Sequence, residues 1–197
     1  MNYLAHAYLS FHIPEILAGN MVSDFVKGKK KYDYPVSIQK GIHLHRAIDG
    51  FTDQHPATKK AKEFFKPAVG PYAGAFIDVV YDHFLALDKE EFPADQLDLF
   101  TKEAYGQLDA LQSFFPEKFA AMFPYMKSQN WLFNYRYKEG IEKSFGGLVR
   151  RAQYLTDAQP AYRIFLSEYD ALSSHYVSFF PEVKAFASSQ LALLLNQ

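Results

Sequence analysis

The sequence of 197 residues contains no cysteine, which excludes disulfide bonds, thiol nucleophiles and thiolate metal ligands. Its charges nearly cancel, with 21 basic and 22 acidic residues, so no overall positive field would attract nucleic acid. The N-terminal stretch lacks the basic and apolar regions of a secretory signal. No apolar run approaches the roughly 18 residues of a membrane span. We therefore expect a cytoplasmic protein that binds neither nucleic acid nor membranes.

Two common catalytic signatures are also missing, the glycine-rich phosphate loop and the G-x-S-x-G elbow. Alternating strand patterns are scarce, whereas prolines and glycines separate many helix-like stretches. The chain is rich in large rings, with 14 Tyr and 19 Phe, which suits a helical core. We predict an all-α fold, with one domain over residues 1–197. Without cysteine, any metal in this fold would need His and carboxylate ligands.

Prolines and glycines predict where several helices begin and end. One helix would run from Pro14 to about Val26, and another would begin at Pro56 and end before Pro67. Gly146 and Gly147 lie in a helical stretch and predict a close contact with another helix. The lysine-rich segment 27–31 would form a loop.

The stretch "DVVYDHFL" places three ionisable groups inside the apolar run Ala73 to Leu87. At about 100° per residue, Asp78 and Asp82 share one helical face, while His83 is offset from them. Buried carboxylates without partners cost several kcal/mol or become protonated. These two could pair with arginine or cap a neighbouring helix. Alternatively, a divalent cation could relieve the repulsion between them.

Two other apolar helices contain similar polar residues. Asp24 and Asn20 lie on nearly the same face of "LAGNMVSDFVKG" and could form an ordinary buried pair. His6 lies in "NYLAHAYLS" and could be a satisfied core histidine. Taken together, separate helices that offer His or carboxylate groups indicate a metal site in the core of a bundle. Mixed His and Asp ligands without cysteine favour Mn²⁺, Mg²⁺ or Fe²⁺.

The stretch "GIHLHRAIDGFTD" holds the densest polar cluster. His45, Arg46 and Asp49 share one helical face, and His43 flanks the opposite, apolar face. One interpretation is a solvated face with a His45/Asp49 pair. The other is a wall of His, Arg and Asp that faces an anionic group, because the arginine fork suits phosphate.

Four blocks of this sequence resemble the bacterial acyl carrier protein phosphodiesterase family, in the same order. They are "MNYLAHAYLS", "LAGNMVSDFVKG", "GIHLHRAIDGFTDQHP" and "DVVYDHFLA", with a weaker match from "NWLFNYRYKEGIEKSFGGLVRRA" to "FFPE". The family is distantly similar to the HD-domain phosphohydrolases, which implies an HD-like helical bundle. One departure is the order Asp82-His83, because the HD signature places His before Asp. The implied activity is metal-dependent conversion of holo acyl carrier protein to the apo protein and 4′-phosphopantetheine.

The resemblance also implies roles for individual residues, with Mn²⁺ as the expected cofactor and Mg²⁺ or Fe²⁺ as alternatives. The implied metal-site candidates are His6, Asp24, Asp78, Asp82 and His83. The implied phosphate-facing or acid/base candidates are His43, His45, Arg46 and Asp49. Water would attack phosphorus in line, while the metal and Arg46 stabilise the negative charge and a histidine handles the proton.

Acyl carrier proteins are small and acidic, so a basic surface could dock one beside the metal. The candidates for this surface are Lys27, Lys29, Lys30 and Lys31, although a solubilising loop would look the same. The lysines at positions 59, 60, 62 and 66 form a second basic stripe with the same ambiguity. Two other functions stay open: an HD-like phosphohydrolase for a nucleotide or small phosphoester, and a non-catalytic module that binds carrier protein.

Overall fold

The computed structural model describes residues 1–196, which contain eleven α-helices and no strand. The prediction of an all-α fold is therefore confirmed. The helices are α1 (Tyr3–Tyr8), α2 (Pro14–Val22), α3 (Val36–Gln54), α4 (Pro56–Val69), α5 (Ala73–Leu87), α6 (Gln96–Ala110), α7 (Glu117–Ser128), α8 (Trp131–Asn134), α9 (Lys138–Arg151), α10 (Gln159–Ser167) and α11 (Tyr169–Leu195). Short 3₁₀ turns occupy Ser23–Phe25, Gly28–Asp33, Gly70–Tyr72 and Gln112–Phe114.

Helix α5 runs through the middle of the fold and packs against α1, α4, α9 and α11. Its apolar residues from Phe76 to Ala86 are buried around the whole helix, as expected for a helix with no solvated face. Aromatic rings fill the space on both sides: Phe76 packs on Phe145 of α9, and Tyr81 stacks on Phe179 of α11. The polar groups of α5 must therefore find their partners inside the protein.

Helices α2 and α3 approach each other through two glycines. A Cβ atom at Gly19 would lie 2.2 Å from the Ile38 carbonyl oxygen, and one at Gly41 would lie 2.4 Å from that of Ile16. Neither position can hold a larger residue without moving the backbone. This contact brings the end of α2 beside the middle of α3.

Three sequence predictions about local structure need correction. Helix α2 ends at Val22 and continues only as the 3₁₀ turn Ser23–Phe25, which leaves Asp24 exposed. Helix α4 runs past Pro67 to Val69, although a proline there removes one backbone hydrogen bond and crowds the carbonyl group four residues earlier. The lysine segment forms the 3₁₀ turn Gly28–Asp33 rather than a loop.

The predicted helix contact at Gly146 and Gly147 is also wrong. Of the atoms outside the local backbone of α9, only the Arg150 guanidinium lies within 4 Å of a Cβ atom built at either glycine. No other helix within residues 1–196 therefore fills the space beside these glycines.

In the part of the chain that the structure describes, no helix is both long and apolar enough to cross a membrane.

Candidate metal centre

His6, His45 and Asp49 converge where α1 meets α3, with one possible ligand atom from each within 4.8 Å of the others. Asp49 Oδ1 lies 3.1 Å from His6 Nε2, and Asp49 Oδ2 lies 3.1 Å from His45 Nε2. The two imidazole rings stack with their centroids 3.9 Å apart. The spacing of four residues between His45 and Asp49 puts both side chains on one face of α3.

A chain of hydrogen bonds fixes the orientation of the His6 ring. Ser10 Oγ donates to the His6 carbonyl at 2.7 Å and accepts from Asn20 Nδ2 at 2.9 Å. The Asn20 amide oxygen therefore faces His6 Nδ1, 3.1 Å away, and accepts a hydrogen bond from its N–H group. In a neutral His6, the unprotonated Nε2 is then directed at Asp49.

Two lone pairs consequently face each other. Burial and the neighbouring His45 lower the pKa of His6 to about 4, so its ring is neutral at neutral pH. Asp49 stays ionised, because burial is outweighed by the Met1 amino group and the two histidines, which lower its pKa. Two acceptors at hydrogen-bond distance call for a cation between them, and an imidazole with its other nitrogen bonded to an acceptor is the usual metal-binding form. The residues present therefore fit a divalent metal.

His45, unlike His6, favours its protonated form. Burial disfavours its protonated form, but hydrogen bonds to Asp24 and Asp49 raise its pKa to about 9. Its Nδ1 atom is buried and has no hydrogen-bond partner among residues 1–196. A metal would displace the proton between His45 and the carboxylates, as binding to a protonated ligand generally does.

The His45/Asp49 pair predicted from the sequence is confirmed, but the interpretation of a solvated face is wrong for His45. Only 5% of this residue is exposed, because α1 covers its ring through His6. Asp24 lies on the open side, where its Oδ1 atom is 3.2 Å from His45 Nε2.

An open depression of about 410 Å³ lies in front of these groups. Asp24, His45 and Asp49 form one part of its lining, and Lys27 and Arg46 form another. Arg46 Nη2 donates to the Val26 carbonyl at 2.9 Å, which steadies the guanidinium at the edge. The depression therefore offers a solvent-accessible approach to the cluster, with cations at its edge.

Asp78 approaches the cluster through the amino group of Met1. The amino nitrogen lies 3.0 Å from Asp78 Oδ1 and 3.3 Å from Asp49 Oδ1, so one cation serves both carboxylates. Burial raises the pKa of Asp78, which is the direction expected for a carboxylate removed from water. Asp78 thus borders the centre without contacting either histidine.

Asp82 has different partners from Asp78, which lies one helical turn earlier on α5. Its carboxylate accepts the backbone N–H groups of Asn2, Leu4 and Ala5 at 3.3, 2.7 and 3.2 Å. These are donors of the first turn of α1, which has no side-chain cap of its own. Burial raises the pKa of Asp82 to about 7 despite these donors. The structure favours the helix-capping alternative for Asp82.

His83 is likewise engaged elsewhere. Its Nδ1 lies 2.7 Å from the Tyr135 carbonyl oxygen and its Nε2 lies 2.8 Å from the Tyr169 hydroxyl. With both ring nitrogens bonded, His83 ties α5 to the segment after α8 and to the start of α11. The structure does not bring Asp82 or His83 to the cluster around Asp49.

His43 and the four lysines lie on the surface beside the depression. His43 is exposed, and its Nε2 accepts from Lys31 Nζ at 2.9 Å, away from Asp49. Lys27 lines the depression, and Lys29 and Lys30 are exposed. None of the four lysines forms an ion pair with the described residues, whereas Lys62 of the second stripe is bound to Asp53.

Sequence reasoning assigned His45 and Asp49 to acid/base chemistry and did not group them with His6, whereas the structure brings the three side chains together. Their spacing of four residues was the available signal, but it fitted a surface pair equally well. Ser10 was missed altogether, because nothing local marks a serine that orients an amide ten residues later.

Comparison with known proteins agrees with the family resemblance of the four sequence blocks. A family model described as acyl carrier protein phosphodiesterase matches residues 1–183. Curated relatives with that description include one from Enterobacter sp. (strain 638), 32% identical over 96% of this chain and 99% of its own length. Another, from Klebsiella pneumoniae subsp. pneumoniae, shows the same identity and coverage. No solved structure matches, so the HD-like type of the fold stays a prediction. The chain belongs to the acyl carrier protein phosphodiesterase family.

Proposed function

We propose that this phosphodiesterase uses a divalent metal, Mn²⁺ in the first place, to convert holo acyl carrier protein to the apo form and 4′-phosphopantetheine. The observation that carries the metal is the convergence of His6, His45 and Asp49, which offer one possible ligand atom each within 4.8 Å of the others. The relatives' description supports the carrier protein as substrate.

The proposed ligands are His6, His45 and Asp49. Two imidazoles and one carboxylate suit Mn²⁺ or Fe²⁺ better than Mg²⁺, because Mg²⁺ prefers oxygen ligands. When bound, such an ion supplies Lewis-acid stabilisation of phosphoryl charge and increases the acidity of water. Asn20 keeps His6 in the tautomer that presents Nε2 to the ion.

Other residues of the depression would bind the phosphate group and accept a proton. Arg46 is placed to bind the non-bridging oxygens of the phosphodiester, because only one of its amino groups is held by Val26. Asp24 is exposed and lines the depression beside His45, so its carboxylate is placed to accept a proton from the attacking water. His43 is bonded to Lys31, so we assign the proton transfer to Asp24.

The function is tested by release of 4′-phosphopantetheine from purified holo carrier protein. We expect turnover to disappear after treatment with EDTA and to return on addition of metal, best with Mn²⁺, then Fe²⁺ and Mg²⁺. Mass spectrometry of the carrier protein measures the conversion, because loss of the arm changes its mass.

The same assay separates the alternatives. Turnover of small phosphodiesters without turnover of holo carrier protein would indicate the HD-like phosphohydrolase. Binding of carrier protein without turnover under any metal would indicate the non-catalytic module. Turnover that is insensitive to EDTA would contradict the metal proposal while leaving the substrate in place.

The lysines beside the depression are proposed to dock the acidic carrier protein. Changing Lys29 and Lys30 together to Glu should lower kcat/KM for holo carrier protein by at least about 10-fold at low ionic strength. The cause is loss of electrostatic steering, so KM should rise while kcat stays near the wild-type value. Steady-state kinetics at two salt concentrations measure both effects.

A matched control reverses the same charges on another surface. Lys59 and Lys60 are exposed on α4, and their joint change to Glu should leave KM nearly unchanged. Equal losses in both double variants would mean that overall charge matters, and no loss in either would reject docking at these lysines.

A further inference from the structure

A second cavity, of about 320 Å³, lies between the first turn of α1 and helices α5, α8 and α9. Its volume falls at the lower end of the range for small-molecule pockets, about 300 to 1,000 Å³. Apolar and aromatic side chains form part of its wall: Tyr3, Val79, Trp131 and Leu148. Side-chain amides form another part: Asn2, Gln129 and Asn134. The cavity therefore suits a flexible ligand that has both aliphatic and amide groups.

This cavity borders the candidate metal centre. Two of its wall residues, Asn2 and Val79, directly follow Met1 and Asp78, the pair that borders Asp49. A third wall residue, Tyr3, lies on α1 three residues before His6, one of the proposed metal ligands. A ligand whose reacting group lies at the metal centre could therefore extend into the cavity.

The edge of the cavity is basic. Lys143, Arg150 and Arg151 line it, are exposed, and form no ion pair with residues 1–196. The Arg150 guanidinium lies across the two glycines of α9, 3.6 Å from a Cβ atom built at Gly147 and 3.8 Å from one built at Gly146. Cations without partners favour a ligand that is attached to, or surrounded by, negative charge.

We propose that this cavity binds the pantetheine arm of the substrate, an inference that rests on the proposed function. The arm alternates aliphatic segments with two amides, which matches the aromatic and amide groups of the wall. Its phosphodiester would remain at the metal centre, and the basic edge would face the negative charge of the phosphate and the carrier protein. Binding of the arm would thereby position the phosphorus, which lowers the entropic part of the barrier.

Gly147 provides a direct test, because it lines the cavity and a side chain there would project into open space. Gly147→Leu removes a glycine from the interior of α9, so the helix should be retained. We expect binding of free pantetheine, measured by calorimetry, to be lost. The variant's kcat/KM for holo carrier protein should fall by at least about 10-fold, because the arm can no longer align the phosphodiester.

The matched control is Gly146→Leu, which places the same side chain at a similar distance from Arg150 without lining the cavity. It should bind pantetheine and turn over holo carrier protein as the wild type does. The metal content of both variants, measured by elemental analysis, should equal that of the wild type, which shows that the metal centre is intact.

Wild-type binding and turnover in Gly147→Leu would overturn the inference, as would failure of the wild-type chain to bind pantetheine. If the wild type turns over holo carrier protein and Gly147→Leu does so equally well, only the cavity assignment fails. If the wild type has no activity on holo carrier protein, the proposed function fails, and the calorimetry still decides whether the cavity binds the arm.

Discussion

Replacement of Asp49 by Asn is expected to abolish metal binding and to lower kcat/KM for holo carrier protein by at least about 100-fold. Asp49 contacts both histidines of the centre, and an amide lacks the negative charge that a divalent ion requires. Loss of a residue that only supports a metal ligand already costs about 10- to 100-fold in affinity or activity. Elemental analysis of the purified variant and kinetics with added Mn²⁺ measure the two effects.

Asp53→Asn is the matched control for this variant. Asp53 lies one turn later on α3, is exposed, and pairs with Lys62 at 2.6 Å instead of with the centre. We expect wild-type metal content and activity from it, since exposed ion pairs contribute about 0 to 1 kcal/mol to stability. Full metal content in a folded Asp49→Asn protein would contradict the ligand set. Thermal unfolding of both variants establishes that they are folded.

Replacement of Asp82 by Ala is expected to lower the free energy of unfolding by at least about 3 kcal/mol. Three backbone N–H groups at the start of α1 would lose their acceptor in a buried place, at about 1 to 3 kcal/mol for each unsatisfied group. Loosening of α1 would also displace His6, so metal affinity should fall as a secondary effect. Chemical denaturation monitored by circular dichroism measures the loss of stability.

Asp82→Asn should fall between the wild type and Asp82→Ala. The amide oxygen can still accept from Asn2 and Ala5, but the amide nitrogen would face the N–H donor of Leu4. Asp98→Ala, which removes a half-exposed carboxylate paired with Lys102, serves as the control and should change stability little. Equal stability of Asp82→Ala and the wild type would reject the capping role. Normal stability with complete loss of bound metal would instead indicate that Asp82 is a ligand.

Much of the local structure could be predicted from the sequence because its causes are local. Pro14 and Pro56 do begin helices, and the apolar run from Ala73 to Leu87 is a buried helix as predicted. The same applies to the His45/Asp49 pair, whose spacing alone places both side chains on one face of α3. Helical periodicity determines which side chains point together, and it needs no knowledge of the rest of the chain.

The roles of the polar residues on α5 could not be predicted in this way. Asp78 and Asp82 share one face, and both capping and metal binding satisfied that geometry. The choice depends on residues about 80 positions away, because the first turn of α1 supplies the three donors to Asp82. The role of His83 likewise depends on distant partners: Tyr135, which follows α8, and Tyr169, the first residue of α11.

The sequence by itself determined an all-α fold, the helical face shared by His45 and Asp49, and, through four blocks of resemblance, the family. Only the tertiary structure decided that His6 joins those two side chains, that Asp82 caps α1, and that Gly147 opens onto a cavity instead of a helix. The reason is physical: a helix fixes the direction of a side chain, but hydrogen-bond partners and open space depend on which other helices pack against it.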